Sequence, residues 1–273
     1  MCQAFGLSPS TYYGWQRKQQ SERARQDGEL LASVRRIFAK FRGRYGAPRV
    51  HDQLAREGFN ISRKRVARLM REAGLKAKGR RKYMATTDSN HALPVAPNLL
   101  QRDFHAERPD AVWVSDITYL WTRQGWMYLA VILDLYSRKV VGWSLAERMT
   151  AALVCNALDV ALKLRRPKPG LVFHSDRGSQ YASRAFRRRL WRHGMHQSMS
   201  RKGDCWDNAV AESFFATLKK ELMRNRAFDT RESARAEVFE YIEVFYNRQR
   251  AHSLLRYETP NAFEDCFDKK NAA

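Results

Sequence analysis

The chain has 273 residues, and 44% of them are hydrophobic, which suits one large domain or two ordinary ones with real cores. No apolar run reaches the roughly 18 residues of a membrane-spanning helix, and the opening MCQAFGLSPSTYYGWQRK lacks the apolar stretch of a secretion signal. The 50 lysines and arginines against 28 acids give a formal net charge of +22, which indicates a polyanionic partner, most often nucleic acid.

Helical patterning dominates residues 1–75. The sequence predicts a short helix around STYYGWQRKQQ, a longer one in GELLASVRRIFAKF, and two short helices in GAPRVHDQLAREG and NISRKRVARLMREAGL. In the last of these, Ser62 has the position of an N-cap and Gly74 that of a stop.

This last helix opens the most basic segment of the chain, because residues 61–83 contain ten lysines and arginines and a single acid, Glu72. Two short helices joined by a tight turn, the second basic on its outer face, are typical of a helix-turn-helix, with a recognition helix from about Arg63 to Glu72. A basic helical bundle without sequence readout is the alternative. The expected DNA contacts are Arg63, Lys64, Arg65 and Arg68.

Residues 76–108 show no sustained periodicity and combine basic residues, a TTDSN stretch and two prolines, which predicts a basic linker. From Pro109 the pattern changes to strands. AVWVSDITYL, WMYLAVILDLYS and RKVVGWSLAE are β-branched and aromatic, and their short connections predict an antiparallel meander.

The remaining elements complete a mixed α/β core over residues 109–226. A largely apolar helix begins after Thr150, followed by a strand in LVFHS, a helix in SRAFRRRLWRHG, a short strand in MHQSMS and a helix from Ala209 to about Arg224. The order β-β-β-α-β-α-β-α is that of an RNase H-like fold. Residues 227–273 are predicted to form a C-terminal helical extension packed on this core.

Three acids hold special positions in this topology. The ends of the first and fourth strands lie side by side in such a sheet, so Asp116 in the first and Asp176 at the end of the fourth are expected to converge. Glu212 in the first turn of the last helix supplies a third carboxylate. A lone Asp after a strand is usually a turn residue, but three acids at three positions of one topology predict a site.

Clustered carboxylates suit a hard divalent cation, because Mg²⁺ prefers oxygen ligands and keeps several waters. Two such ions can stabilise the charge that develops on the attacking and leaving oxygens of a phosphodiester. Three acids without metal would repel one another and raise one another's pKa. The four cysteines stand singly, which argues against zinc and favours reduced thiols in a cytoplasmic compartment.

The segments VWVSDITYL, LDLYSRKVVGW, HSDRGSQY, DCWDNAVAESFFATLKKEL and YNRQRAHSLLRYETPNAFE closely resemble bacterial insertion-sequence transposases of the DDE type. They are similar to the OrfB class, whose core is like retroviral integrase, and the basic N-terminal region resembles the helix-turn-helix segment of the same proteins. The resemblance implies that Asp116, Asp176 and Glu212 are the catalytic, metal-binding triad. It further implies two Mg²⁺ ions, with Mn²⁺ as a substitute, hydrolytic release of a 3′-OH, and attack of that hydroxyl on another phosphodiester.

The residues around the triad are interpreted with their alternatives. On the last helix Lys219 is the first candidate for a DNA phosphate contact and Lys220 the second, although either could serve solubility alone. Asn208 is a helix cap or a DNA-aligning residue, and Gly203 marks a mobile loop.

Seven further residues receive a structural interpretation or two alternatives. His174 is interpreted as structural and Asp134 as a turn residue. Arg250 and His252 either reach DNA or fix a helix on the core. The indoles of the strands are predicted to be core, namely Trp113, Trp126 and Trp143.

The expected partners are DNA, as terminal inverted repeats and target, and further copies of the chain on that DNA, in the bacterial cytoplasm at the nucleoid, with no membrane. Transposases of this class often act with an upstream-frame OrfA-type protein, separate or fused, and no heptad segment stands ahead of CQAFGLSPSTYYGW. The alternatives are a structure-selective nuclease with the same triad and a non-catalytic DNA-binding regulator.

Overall fold

In the computed structural model, residues 8, 10, 13, 22–77, 93–201, 205–223 and 227–272 are described. The chain divides into two compact units, residues 1–79 and 80–273. Most of the predicted helix around residues 10–20, and the loop at Gly203, lie outside the described residues. Within the described part of the chain, no helix is long and apolar enough to cross a membrane.

Over residues 22–77 the N-terminal unit has three helices, α1 (Glu22–Lys40), α2 (Ala47–Arg56) and α3 (Arg63–Glu72). The predicted bounds of the basic helix are confirmed, and the Ser62 hydroxyl accepts a hydrogen bond from the Arg65 backbone N–H at 3.2 Å. Gly74 ends the helical segment with φ +68, a conformation that glycine adopts without steric cost. The three helices bury one apolar stripe each, which includes Val34, Ile37, Val50, Leu54, Val66 and Leu69.

The second unit is built on a five-stranded sheet of order β3-β2-β1-β4-β5. The strands are β1 (Val112–Thr122), β2 (Gly125–Asp134), β3 (Val140–Ala146), β4 (Val172–Ser175) and β5 (His196–Met199). The predicted meander is confirmed, since β1–β2 and β2–β3 are antiparallel, and β4 lies parallel to both β1 and β5. β1 is therefore central in the sheet.

The helices of this unit follow the predicted order with one addition. They are α4 (Ala151–Arg165), α5 (Ser179–Ala182), α6 (Arg184–Arg192), α7 (Ala209–Leu218), α8 (Arg231–Phe239) and α9 (Pro260–Ala272). The short α5 was not expected. The helix predicted from Ala209 to about Arg224 is α-helical only to Leu218 and continues as a π-helical turn over Lys219–Met223. A second π-helical segment covers Glu240–Tyr246, and a 3₁₀ turn covers Ser253–Leu255.

How deeply each strand tryptophan is buried depends on whether other elements cover that part of the sheet. Trp113 is fully buried beneath α4, as predicted. Trp143 is half-buried, and its indole N–H donates to Glu243 at 2.8 Å. Trp126 is 45% exposed, so its assignment to the core was wrong. It lies beside the β1–β2 turn, and strand alternation identifies a face of the sheet without telling how far a helix covers it.

Gly142 lets α4 approach the sheet closely. A Cβ at this position would lie 2.5 Å from the Ala157 carbonyl oxygen and 2.7 Å from the Ala161 Cβ. We therefore expect Gly142→Ala to destabilise the protein by about 1–3 kcal/mol through overpacking. Thermal unfolding measures this, with Gly28→Ala as control, because the helical Gly28 has open space around it and should gain about 0.5–1 kcal/mol. An unchanged melting temperature for Gly142→Ala would contradict the close packing.

Candidate active site

Parallel pairing of β1 with β4 brings two acids to adjacent positions. Ser115 pairs with Ser175 at the last step of that ladder, and Asp116 and Asp176 are the residues that follow. Neighbouring strands lie about 4.8 Å apart, so the two carboxyl groups emerge side by side at the point where β4 ends. Local hydrogen bonds orient both, because Asp116 accepts from the Ile117 N–H at 2.7 Å and Asp176 from the Gly178 N–H at 3.0 Å.

Glu212 joins these acids from α7, which packs against β1. The Asn208 side-chain N–H donates to the Ser115 carbonyl oxygen at 3.2 Å, so the start of α7 is tied to β1 directly beside Asp116. The electrostatics agree with this proximity. Burial first, then Asp176 and Glu212, raise the pKa of Asp116, while the Ile117 N–H and Lys219 lower it. Burial also raises the pKa of Glu212.

Lys219 is the predicted DNA contact whose positive charge acts on Asp116. Its Nζ lies 4.3 Å from the centre of the Tyr119 ring. Burial lowers the pKa of Lys219, and the charge of Asp116 opposes that shift. Lys219 is therefore close to the acids. Lys220, the next residue, is half-buried.

Asn208 does not cap α7 with its side chain, contrary to one expectation. It is buried, and its amide is used on Ser115 instead. The short Asn208 side chain can either cap α7 or bind β1, and the proximity of β1 favours the hydrogen bond to Ser115. Its role toward DNA stays a prediction.

Tyr181 lies beneath the acids and was not expected there. It is fully buried, and its hydroxyl shares a 2.8 Å hydrogen bond with the Ser115 hydroxyl, which also donates to the Val131 carbonyl oxygen. Burial, then the charges of Asp176 and Asp116, raise the pKa of Tyr181. The sequence signal that could have placed Tyr181 near the acids was its position in HSDRGSQY, shortly after Asp176.

His174 has the structural surroundings that strand alternation predicted. It is fully buried, with Nδ1 2.8 Å from the Ser198 hydroxyl and Nε2 2.9 Å from the Asp207 carbonyl oxygen. Burial lowers its pKa to about 4, so the ring is neutral at physiological pH.

Asp207 anchors the segment that leads into α7. Its carboxylate accepts hydrogen bonds from Arg201, Arg102 and Asn98, and the bond from Arg201 is the first cause of its lowered pKa.

Asp134 is a turn residue, as predicted, because its carboxylate accepts hydrogen bonds from the Ser137 N–H at 2.9 Å and the Asp110 N–H at 2.7 Å.

Arg250 fixes the core, which decides between the two alternatives left open for it. Both Arg250 and Glu221 are buried, and the guanidinium donates to the Glu221 carboxylate through Nε and Nη2 at 3.0 Å. The Tyr241 hydroxyl donates to the same carboxylate at 2.9 Å. Since Glu221 lies in the π-helical turn that begins with Lys219, this buried cluster holds that turn.

In the N-terminal unit the four predicted DNA contacts fall into two pairs. Arg65 and Arg68 both bind Asp27 of α1, at 2.7 and 2.6 Å, and their side chains are half-buried. Arg63 and Lys64 are exposed at the start of α3. The first pair therefore stabilises the helix packing, and the second pair faces solvent.

The acidic cluster fits hard cations by its donor set, which is all oxygen. Among the described residues no three acidic, histidine or cysteine side chains are arranged to hold a metal ion by themselves. Mg²⁺ is usually bound by one or two carboxylates together with water and substrate phosphate. Mutual repulsion also raises the pKa of Asp116, and a bound cation would relieve it.

A mixed sheet with adjacent acids at its centre, and a third acid on the helix that crosses them, defines an integrase-type catalytic core. Family models agree: an integrase core domain matches residues 106–205, a second integrase core domain model matches residues 212–266, and an HTH-like domain matches residues 25–83. Enzymes with this core are polynucleotidyl transferases.

Two relatives identify the family. The chain is 45% identical over 272 residues, all of both chains, to a 31 kDa protein of insertion element IS600 from Shigella sonnei. It is 44% identical over 271 residues to transposase InsF of insertion sequence IS3A from Escherichia coli K12, which covers 97% of this chain and 93% of that one. The chain belongs to the IS3-type insertion-sequence transposases and acts in DNA transposition.

A solved structure was also similar. The HTLV-2 integrase catalytic core, determined in complex with magnesium, matches with a TM-score of 0.45 and 15% identity, over 59% of this chain and 99% of that one.

Proposed function

We propose that Asp116, Asp176 and Glu212 are the catalytic residues of this transposase and hold two divalent cations, Mg²⁺ or Mn²⁺ in its place. The observation that carries the proposal is the Ser115–Ser175 register, which sets the buried Asp116 and the half-buried Asp176 side by side, with α7 tied to Ser115 by Asn208. The raised pKa of Asp116 supports it, because such a group is costly unless a cation compensates it. The bound ions would stabilise negative charge on the attacking and leaving oxygens.

The protein's own groups orient the acids and the DNA. Hydrogen bonds from the Ile117 and Gly178 N–H groups orient the carboxylates of Asp116 and Asp176. Lys219, at the border of the acidic cluster, supplies positive charge for a DNA phosphate.

The reaction then has two displacement steps at phosphorus. In the first, water attacks the phosphodiester at the end of the insertion sequence, and the 3′-oxygen leaves and takes a proton. In the second, that 3′-OH attacks a phosphodiester of another DNA segment and displaces its 3′-oxygen, so one phosphodiester forms as another breaks. Neither step needs ATP or a covalent bond between protein and DNA.

The N-terminal unit is proposed to bind the terminal inverted repeats at the nucleoid. The exposed Arg63 and Lys64 are the first candidates for contact with DNA. Arg65 and Arg68, which form ion pairs with Asp27, are the second candidates. Joining two ends requires more than one copy on the DNA, with an upstream OrfA-type protein as a further partner.

The experiment is strand joining in vitro with labelled DNA ends from the inverted repeats that flank the gene, with and without the upstream protein, in Mg²⁺ or Mn²⁺. We expect metal-dependent joined products, and their loss in Glu212→Gln. Glu232→Gln, an exposed glutamate on α8, is the matched control and should keep wild-type activity.

The alternatives appear as distinct outcomes of the same assay. Cleavage without joined products would support the nuclease. Tight DNA binding without chemistry under every metal condition would support a regulator. Joining by Glu212→Gln at the wild-type rate would contradict the assignment of that residue.

Lys219 and Lys220 offer a matched pair for the DNA contact. We expect Lys219→Ala to weaken binding of the DNA end and to reduce the slope of log affinity against log salt by about 1, which is the loss of one phosphate contact. Lys220→Ala should have a smaller effect, because only Lys219 is tied to the acidic cluster. Fluorescence anisotropy across a salt series measures both, and an equal slope for Lys219→Ala and wild type would contradict the contact.

A further inference from the structure

An aromatic surface lies at the outer end of the β1–β2 hairpin. Trp121 and Trp126 are paired across the two strands, and their rings are 42% and 45% exposed. Their centroids are 4.7 Å apart with the rings at 65°, and Tyr119 meets Trp126 edge to face at 5.1 Å. We call these three residues the hairpin aromatic cluster. Two partly exposed indoles in contact form a larger continuous apolar surface than single exposed residues do.

This cluster borders the acidic site. Lys219 links the two, because its Nζ lies over the Tyr119 ring at 4.3 Å and its charge acts on Asp116. Trp121 follows Asp116 by five positions on the same strand, which corresponds to about 17 Å, and this odd spacing sets the two side chains on opposite faces of β1. One strand of a duplex advances about 3.4 Å per nucleotide, so this distance corresponds to roughly five nucleotides.

The edge of β1 between the two sites lacks a neighbouring strand. Pairing with β4 ends at Ser115, and on that edge the next contact is the bridge of Thr122 to Phe228. Over the intervening residues, β1 has no other strand partner there in the described part of the chain. A DNA strand at the acids would therefore cross this open edge of β1 to reach the indoles on the other face.

We propose that the hairpin aromatic cluster binds unpaired nucleobases of the DNA strand held at the acidic site, near the frayed end of the insertion sequence. This inference rests on the proposed function of that site. Bases stack on aromatic side chains whatever their sequence, so the cluster would hold an opened end without reading it. The two indoles already meet edge to face, and the ring surface that this contact leaves exposed remains for a base.

Charge favours DNA over a second copy of the chain as the occupant. Lys219 stands on one side of the cluster, and Arg123 lies in the hairpin turn with only an exposed ion pair to Asp229 at 3.3 Å. Such a pair contributes little in water and yields readily to a phosphate. A second chain of net charge +22 would be repelled, whereas a DNA strand is attracted.

The test uses the full chain in EDTA, so that no chemistry occurs, and compares two DNA duplexes that share one strand, one fully paired and one whose second strand creates five mismatched terminal pairs. We expect wild type to prefer the frayed duplex. Trp121→Ala or Trp126→Ala should weaken frayed-end binding by about 5- to 100-fold, the range that loss of one base–aromatic stack implies. Trp121→Phe and Trp126→Phe should retain most of the preference, because a stacking ring remains.

Two controls separate stacking from other effects. Trp191→Ala removes an indole that is 79% exposed on α6 and should bind both duplexes as wild type does. 5-Iodouracil at each of the five terminal positions should cross-link under ultraviolet light to Trp121 or Trp126, identified by mass spectrometry.

Three results would overturn the proposal. One is a wild type without preference for the frayed duplex. Another is an unchanged preference in both alanine variants with cross-links elsewhere. A third is a change in sedimentation of these variants with unaltered DNA binding, which would make the cluster a protein interface. Since the assay involves no cleavage, its outcome is independent of whether the acids prove catalytic.

Discussion

Asp116→Asn is expected to abolish DNA cleavage and joining, with a loss of about 1,000-fold or more, because the three acids act as one unit. The same change should stabilise the metal-free protein by about 1–2 kcal/mol. The reason is that Asp116 is buried beside Asp176 and Glu212, and Asn removes the charge while its side-chain oxygen still accepts from the Ile117 N–H.

Thermal unfolding with and without Mg²⁺ measures the stability effect. Wild type should gain stability as Mg²⁺ is added, since a ligand that binds the folded state raises the melting temperature, and Asp116→Asn should respond much less. Asp265→Asn, an exposed aspartate on α9, serves as the control with unchanged activity and unchanged Mg²⁺ response. A metal-free Asp116→Asn protein that is less stable than wild type would contradict the repulsion described above.

Arg250→Ala is expected to destabilise the protein by about 3–5 kcal/mol, because it leaves the buried Glu221 carboxylate without its cation. For a unit of this size we expect a fall in melting temperature of roughly 10 °C. Arg248→Ala, two positions earlier and exposed, is the matched control and should melt close to wild type.

A second variant tests the cause of that loss. The double substitution Glu221→Gln with Arg250→Met removes both charges, so it should recover much of the stability that Arg250→Ala loses. If Arg250→Ala melts as wild type does, or if the double variant is no better than Arg250→Ala, the buried ion pair is not what holds the π-helical turn.

The sequence predicted the elements well where local patterns determine them. Ser62 and Gly74 mark the ends of α3, and the bounds Arg63–Glu72 follow from them. Three β-branched runs with short connections predicted the meander, and that topology then implied the adjacency of Asp116 and Asp176, which no spacing along the chain reveals.

Features that depend on contacts between distant segments could not be predicted. Asp207 binds Arg102 across 105 positions, and Glu221 binds Arg250 across 29, so neither charge identifies its partner in sequence. The α-to-π change at Lys219 coincides with this buried pair and has no local signal. Trp126 has the alternation of a core residue, yet it is 45% exposed beside the β1–β2 turn.

The most direct test of the central claim is to locate the metal. Crystals of the protein with a pre-cleaved DNA end, soaked in Mn²⁺ and measured at the manganese absorption edge, would give anomalous difference peaks at the bound ions. We predict peaks between the carboxylates of Asp116, Asp176 and Glu212 and the terminal phosphate of the DNA. Peaks elsewhere, or an ordered DNA end beside these three carboxylates with no anomalous signal, would contradict the account.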